Sequence, residues 1–82
     1  MVTIYYHPRF EKQVRKIKDE RLKQHVKRQI QKIVEDPESG KTMKYGRKGT
    51  RELYVTPFRL SYLYEKDTDR VVLLSLYHKD EQ

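Results

Sequence analysis

The chain closes on VVLLSLYHKDEQ, in which a run of strand-forming residues, Val71 to Tyr77, leads into His78 and Lys79. An imidazole exchanges protons near neutral pH, and an ammonium supplies a compact positive charge. Arg59 lies in a second strand-forming run, between Phe58 and Leu60. Its planar guanidinium suits a two-point grip on a phosphate, although a cross-strand ion pair with Glu52 or Glu65 is an equally good use of it. The third chemically suggestive stretch is KTMKYGRKGTR, residues 41–51, where Lys41, Lys44, Arg47, Lys48 and Arg51 have no acidic neighbour within the stretch. Gly46 and Gly49 leave its backbone free to approach a ligand, and Tyr45 can stack on a base. The stretch lacks the spacing of a nucleotide-binding P-loop. His7, His25 and His78 are far apart and lack ligand spacing, so no metal or other cofactor is expected.

These groups need rigid elements behind them. TIYYH at residues 3–7 is β-branched and aromatic and predicts a first strand. Pro8 suits the first turn of a helix, along which Phe10, Val14 and Ile17 form an apolar stripe. Asp19 is a natural N-cap for a longer helix whose buried face is Leu22, Val26, Ile30, Ile33 and Val34. Pro37 and Gly40 end it. Past Gly40 the period changes: MKYG is a short strand or extended loop, RELYV a strand, and Phe58 to Tyr64 alternates with Phe58, Leu60, Tyr62 and Tyr64 on one side. EKDTD is a polar hairpin loop, and Arg70 to Tyr77 is the last and most apolar strand. The expected order is β-α-α-β-β-β, with an N-terminal helical hairpin on one face of a mainly antiparallel sheet. That is a two-layer α+β fold occupying residues 1–82 as one domain. The face the helices leave bare is available to solvent or a partner.

Composition narrows the function classes. The 82 residues carry a formal charge of +7, a surplus that points to a polyanion such as nucleic acid. The absence of cysteine excludes disulfides, zinc–thiolate sites and thiol nucleophiles. The longest aliphatic run, Val71 to Leu74, is far too short for a membrane span, and the N-terminus lacks the order of a secretory signal. A cytoplasmic protein with no membrane partner is expected.

The segment PFRLSYLYEKDTDRVVLLSLYHK resembles the C-terminal half of the RelE/ParE toxin superfamily: an aromatic–Arg–apolar strand, a short acidic turn, and an apolar strand ending in a basic pair. The helical hairpin and MKYG fit the same plan, and the arrangement looks most like archaeal members. The resemblance implies the toxin of a type II toxin-antitoxin system, neutralised by a small acidic antitoxin. RelE-like members cleave mRNA on the ribosome, whereas ParE-like members share the fold and poison DNA gyrase.

Carried over residue by residue, Arg59 matches the strand arginine used on the scissile phosphate. Lys79 matches a second cation after the last strand, and His78 the terminal acid/base of related ribonucleases. The paired lysines that RelE-like enzymes carry on the preceding strand fall on Glu52 and Tyr54, and no tyrosine follows the terminal cation. RNA supplies its own nucleophile, the 2′-hydroxyl, so such an enzyme needs no metal. The expected catalytic set is Arg59, His78 and Lys79, with Lys44, Arg47, Lys48, Arg51 and Tyr54 binding RNA phosphates and bases. Arg59 and His78 are expected to share one hollow on the bare face. The alternatives are a ParE-like gyrase inhibitor that cleaves nothing and a basic RNA-binding module without catalysis.

Overall fold

A computed structural model describes residues 2–43, 48–78 and 80. Strand β1 is Thr3–Tyr6, helix α1 Pro8–Arg15, helix α2 Glu20–Glu35, and strands β2 to β5 are Lys41–Thr42, Thr50–Val55, Phe58–Glu65 and Arg70–His78. The five strands form one sheet in the order β1-β5-β4-β3-β2. β1 runs parallel to β5, and the other pairs are antiparallel. The two-layer α+β arrangement is the one expected, with one addition: Lys41–Thr42 adds a short edge strand just before MKYG.

Local chemistry sets the helix ends. His7 caps α1, its Nδ1 accepting the Arg9 N–H at 3.1 Å, and Pro8 occupies the first turn, where a missing N–H costs nothing. Asp19 caps α2 through the Arg21 N–H at 2.9 Å. The buried face then assembles from Phe10, Ile17, Val26 and Ile33 of the helical segment against Leu53, Val55, Leu60, Tyr62, Val71, Leu73 and Leu76 of the sheet. Val14, Leu22 and Ile30 pack around it. Gln29 of α2 donates to the Tyr54 carbonyl at 2.8 Å, fastening the helix to β3.

Two residues the sequence offered to a ligand are used by the fold instead. Gly49 adopts a positive φ of 90°, and a Cβ there would sit 2.9 Å from the Tyr64 carbonyl oxygen. Its close approach is to β4 and not to a phosphate. Gly46 lies outside the described residues. Arg51 donates from Nη1 to the carbonyls of Glu38 at 3.1 Å and Gly40 at 2.8 Å, clamping the chain where it leaves α2.

The same junction is pinned from below by Tyr62. Its hydroxyl donates to the Pro37 carbonyl at 2.8 Å and accepts the Gly40 N–H at 2.8 Å. Burial raises the Tyr62 pKa above the ordinary tyrosine value. A group raised on folding contributes stability that is intact below the unfolded pKa, about 10, and lost as pH rises through the higher folded value. Tyr62→Phe therefore removes about 1–3 kcal/mol of stability at neutral pH in urea denaturation, because two backbone groups lose their partner. The same variant loses less further stability than the parent as the pH is taken above about 10; a parallel loss in both proteins refutes the assignment.

Candidate functional site

The bare face of the sheet is built from the residues that alternate away from the core. On β3 these are Thr50, Glu52 and Tyr54, since Leu53 and Val55 are buried under the helices. On β4 they are Arg59 and Ser61, flanking the buried Leu60. On β5 the phase changes part-way. Val71 and Leu73 pack in the core opposite Tyr64 and Tyr62, but Ser61 pairs with Ser75, Leu60 with Leu76 and Arg59 with Tyr77. Leu74 is skipped in this register and forms a β-bulge. Beyond it, Leu76 faces the helices and Ser75 and Tyr77 face the bare side.

The bulge is held from both sides. Ser75 and Ser61 share a hydroxyl hydrogen bond at 2.7 Å on the bare face. Behind the sheet, the Gln13 side chain of α1 accepts the Leu76 N–H at 2.7 Å.

One consequence is a compact polar cluster. Arg59 Nη1 stands 3.7 Å from Glu52 Oε1, with the two side chains 24% and 12% exposed. Tyr77 donates its hydroxyl to Glu52 Oε2 at 3.1 Å. The Arg59 guanidinium lies over the Tyr54 ring, 5.2 Å from its centre, and half of Tyr54 remains open to solvent. Arg59 Nε is buried and, among the described residues, has no hydrogen-bond acceptor. Of the two uses the sequence left open for Arg59, the ion pair with Glu52 is formed; Glu65 instead pairs with Arg70.

The other consequence corrects an expectation. His78 does not share a hollow with Arg59. It pairs with Phe58, on the helix side, and packs edge-on against the Phe58 ring with centres 5.5 Å apart. There it borders a groove lined by Gln13, Lys16, Ile17, Leu22 and Leu76. Its Nδ1 accepts the Asp80 N–H at 3.2 Å. Strict alternation from Val71 would have put His78 on the bare face; the one extra residue at Leu74 reverses it.

Of the remaining candidates, Lys48 and Arg51 line a surface hollow with Glu38 and Tyr64, Arg51 being engaged by the clamp described above. Lys44, Tyr45, Arg47 and Lys79 lie outside the described residues. Among the described residues no group of three or more His, Asp or Glu side chains is arranged to hold a metal ion. Sequence reasoning had Glu52 as an ion-pair partner and a departure from the lysine pattern, and missed it as the centre of the cluster. Its alternation opposite Leu53 was legible, but its convergence with Tyr77 depends on the bulge.

Two helices on one face of a five-stranded sheet in this order is the fold of RelE toxins of known structure. A family model described as the ParE toxin of the type II toxin-antitoxin system, parDE, matches residues 4–82, and the chain belongs to that family. Solved structures share the fold. Against the intact Escherichia coli RelBE toxin-antitoxin complex the TM-score is 0.78 at 20% identity, covering 95% of this chain and 96% of the other. The isolated E. coli RelE toxin gives 0.79 at 18% identity, covering 95% and 84%. The archaeal RelE–RelB complex of Pyrococcus horikoshii gives 0.79 at 11% identity, covering 99% and 98%. No curated protein matches the chain by sequence. No described helix is long and apolar enough to cross a membrane.

If Gln13 sustains the bulge, Gln13→Ala leaves the Leu76 N–H without an acceptor and costs about 1–3 kcal/mol. Amide hydrogen exchange should show Leu76 to Tyr77 losing protection first, ahead of Val71 to Leu73. Uniform loss along β5 would argue that the glutamine only packs.

Proposed function

We propose that this toxin cleaves RNA on the bare face of its sheet, with the cluster around Arg59 as the reacting centre and mRNA on the ribosome as the substrate. The observation that carries this is the meeting of a guanidinium, a carboxylate and a phenol on one side of the sheet, the first two ion-paired at 3.7 Å and the last two hydrogen-bonded at 3.1 Å. Arg59, always charged, binds the scissile phosphate and stabilises the charge that builds on it. An anionic oxygen reaching Nε would also satisfy the donor the protein leaves unpaired.

Glu52 is the group positioned to take the 2′-hydroxyl proton, with the Tyr77 hydroxyl fixing its carboxylate. Tyr54, stacked beneath Arg59 and half exposed, offers its ring to a base. Lys79 is the candidate for protonating the leaving 5′-oxygen, and Lys44, Arg47 and Lys48 for following the backbone. His78, on the helix side, takes no part. A small acidic antitoxin holds the toxin inactive in the cytoplasm, a partnership supported by the likeness to toxin-antitoxin complexes.

One feature favours a second reading. Glu52 and Tyr54 stand where the paired lysines of RelE-like enzymes are expected, so the face is less cationic than that of a RelE-like nuclease. A ParE-like toxin would dock that face on gyrase and cleave nothing.

Induced expression followed by mapping of mRNA 5′ ends separates the two. Under cleavage, Arg59→Ala lowers the rate by about 100-fold or more, as loss of a transition-state charge contact does. Glu52→Gln is also crippled, and His78→Ala stays within about threefold of the parent, an expectation that follows from its place outside the cluster. Intact message with arrested DNA supercoiling would replace this reading with the second.

A further inference from the structure

The bare face carries a second copy of the arrangement around Arg59, at its opposite end. Ile4 pairs with Val71 on the core side, which leaves Thr3, Tyr5, Arg70 and Val72 on the bare side. The Arg70 guanidinium lies over the Tyr5 ring, 5.6 Å from its centre. Arg70 Nε donates to Glu65 Oε1 at 2.7 Å. Each arginine is thus pinned by a glutamate, Arg59 by Glu52 and Arg70 by Glu65, and each backs one face of a tyrosine ring. Three large apolar side chains among the described residues are strongly exposed. Two of them are these rings, Tyr5 at 49% and Tyr54 at 50%; the third, Tyr6, packs against Phe10.

A ring with one face fixed by a cation and the other in water is a preorganised platform for a second planar group. Holding the guanidinium with a carboxylate removes the ordering cost that a free arginine and tyrosine would meet on binding. It also limits the site's pull on phosphate, so stacking of a base is the interaction the construction favours over a backbone contact. Tyr5 lies beside Val72, five residues along β5 from Tyr77 and the reacting cluster. At about 3.3 Å per residue that is roughly 16 Å, too far for one nucleotide to occupy both.

Resting on the reading that this face takes single-stranded RNA, we propose that Tyr5 and Arg70 form a separate base-stacking subsite that engages a nucleotide remote from the scissile phosphate. It would lengthen the footprint of the toxin on its substrate and contribute affinity with little sequence preference, because every base has a face to stack.

The chain contains no tryptophan, so Tyr5→Trp installs a single reporter at the subsite. The probes are a 2′-deoxy-substituted, uncleavable oligonucleotide long enough to cross the face, and a dinucleotide. The long probe should quench the Tyr5→Trp emission, and the dinucleotide should not. Tyr5→Ala should weaken the long probe by about tenfold, in line with loss of one stacked base, and leave the dinucleotide's affinity unchanged. Thermal melts of both variants check that the fold survives.

An unquenched tryptophan on a bound long probe overturns the proposal. So does a Tyr5→Ala defect confined to antitoxin binding, which would make this end of the face a protein contact. Quenching by RNA in a toxin that proves unable to cleave would retain the subsite and reject only the nuclease reading.

Discussion

A single residue out of register on the last strand fixes which side chains meet on the bare face of the sheet. Leu74 is passed over in the pairing of β4 with β5, and the side chains that follow it exchange faces. Leu76 enters the core, Tyr77 turns to the bare side opposite Arg59, and His78 turns to the helices beside Phe58. The exchange is sustained by contacts from two layers. A serine pair locks the bare side, and a helix glutamine takes the amide that the irregularity leaves over. Were the strand regular, Leu76 and not Tyr77 would stand opposite Arg59, and Glu52 would have no hydroxyl to hold it.

The distribution of charge follows a similar division between surface and site. The helical segment 8–36 holds ten lysines and arginines against five acids, and residues 41–51 hold five cations and no acid. The arginines of the bare face, by contrast, are each matched by a glutamate and stacked on a tyrosine. The positive surplus that suggested a polyanionic partner therefore lies mainly outside these matched pairs, in segments 8–36 and 41–51 of the chain. On the proposed reading, long-range attraction and close recognition are carried by different residues: diffuse charge steers an anion toward the protein, and paired, oriented groups receive it.

Much that looked like ligand-binding equipment in the 41–51 stretch has a structural duty where it is described. Arg51 closes the exit of α2 and Gly49 permits β3 to approach β4, while from outside the stretch Tyr62 ties the same exit through Pro37 and Gly40. A small domain has little core to spare, so polar side chains that satisfy buried backbone groups do a large share of the holding. Composition cannot separate such a clamp from a phosphate ligand, because both uses need a donor-rich cation.

The sequence by itself determined the periodic parts: the stripe of Phe10, Val14 and Ile17, the face of Val26 and Ile33, the caps at His7 and Asp19, and the alternation of Phe58, Leu60, Tyr62 and Tyr64. These are encoded within a turn or two of chain, where spacing and local hydrogen bonding are sufficient. The family was legible too, since its pattern follows residue order. What VVLLSLYH could not reveal was its own phase. Its apolar residues run together, so either face of the strand can be buried, and the choice falls to the partners across it. Gln13, Ser61 and the packing of Leu76 make that choice from distant points in the chain. The meeting of Glu52, Arg59 and Tyr77, and the separation of His78 from them, were consequently decided only by tertiary structure.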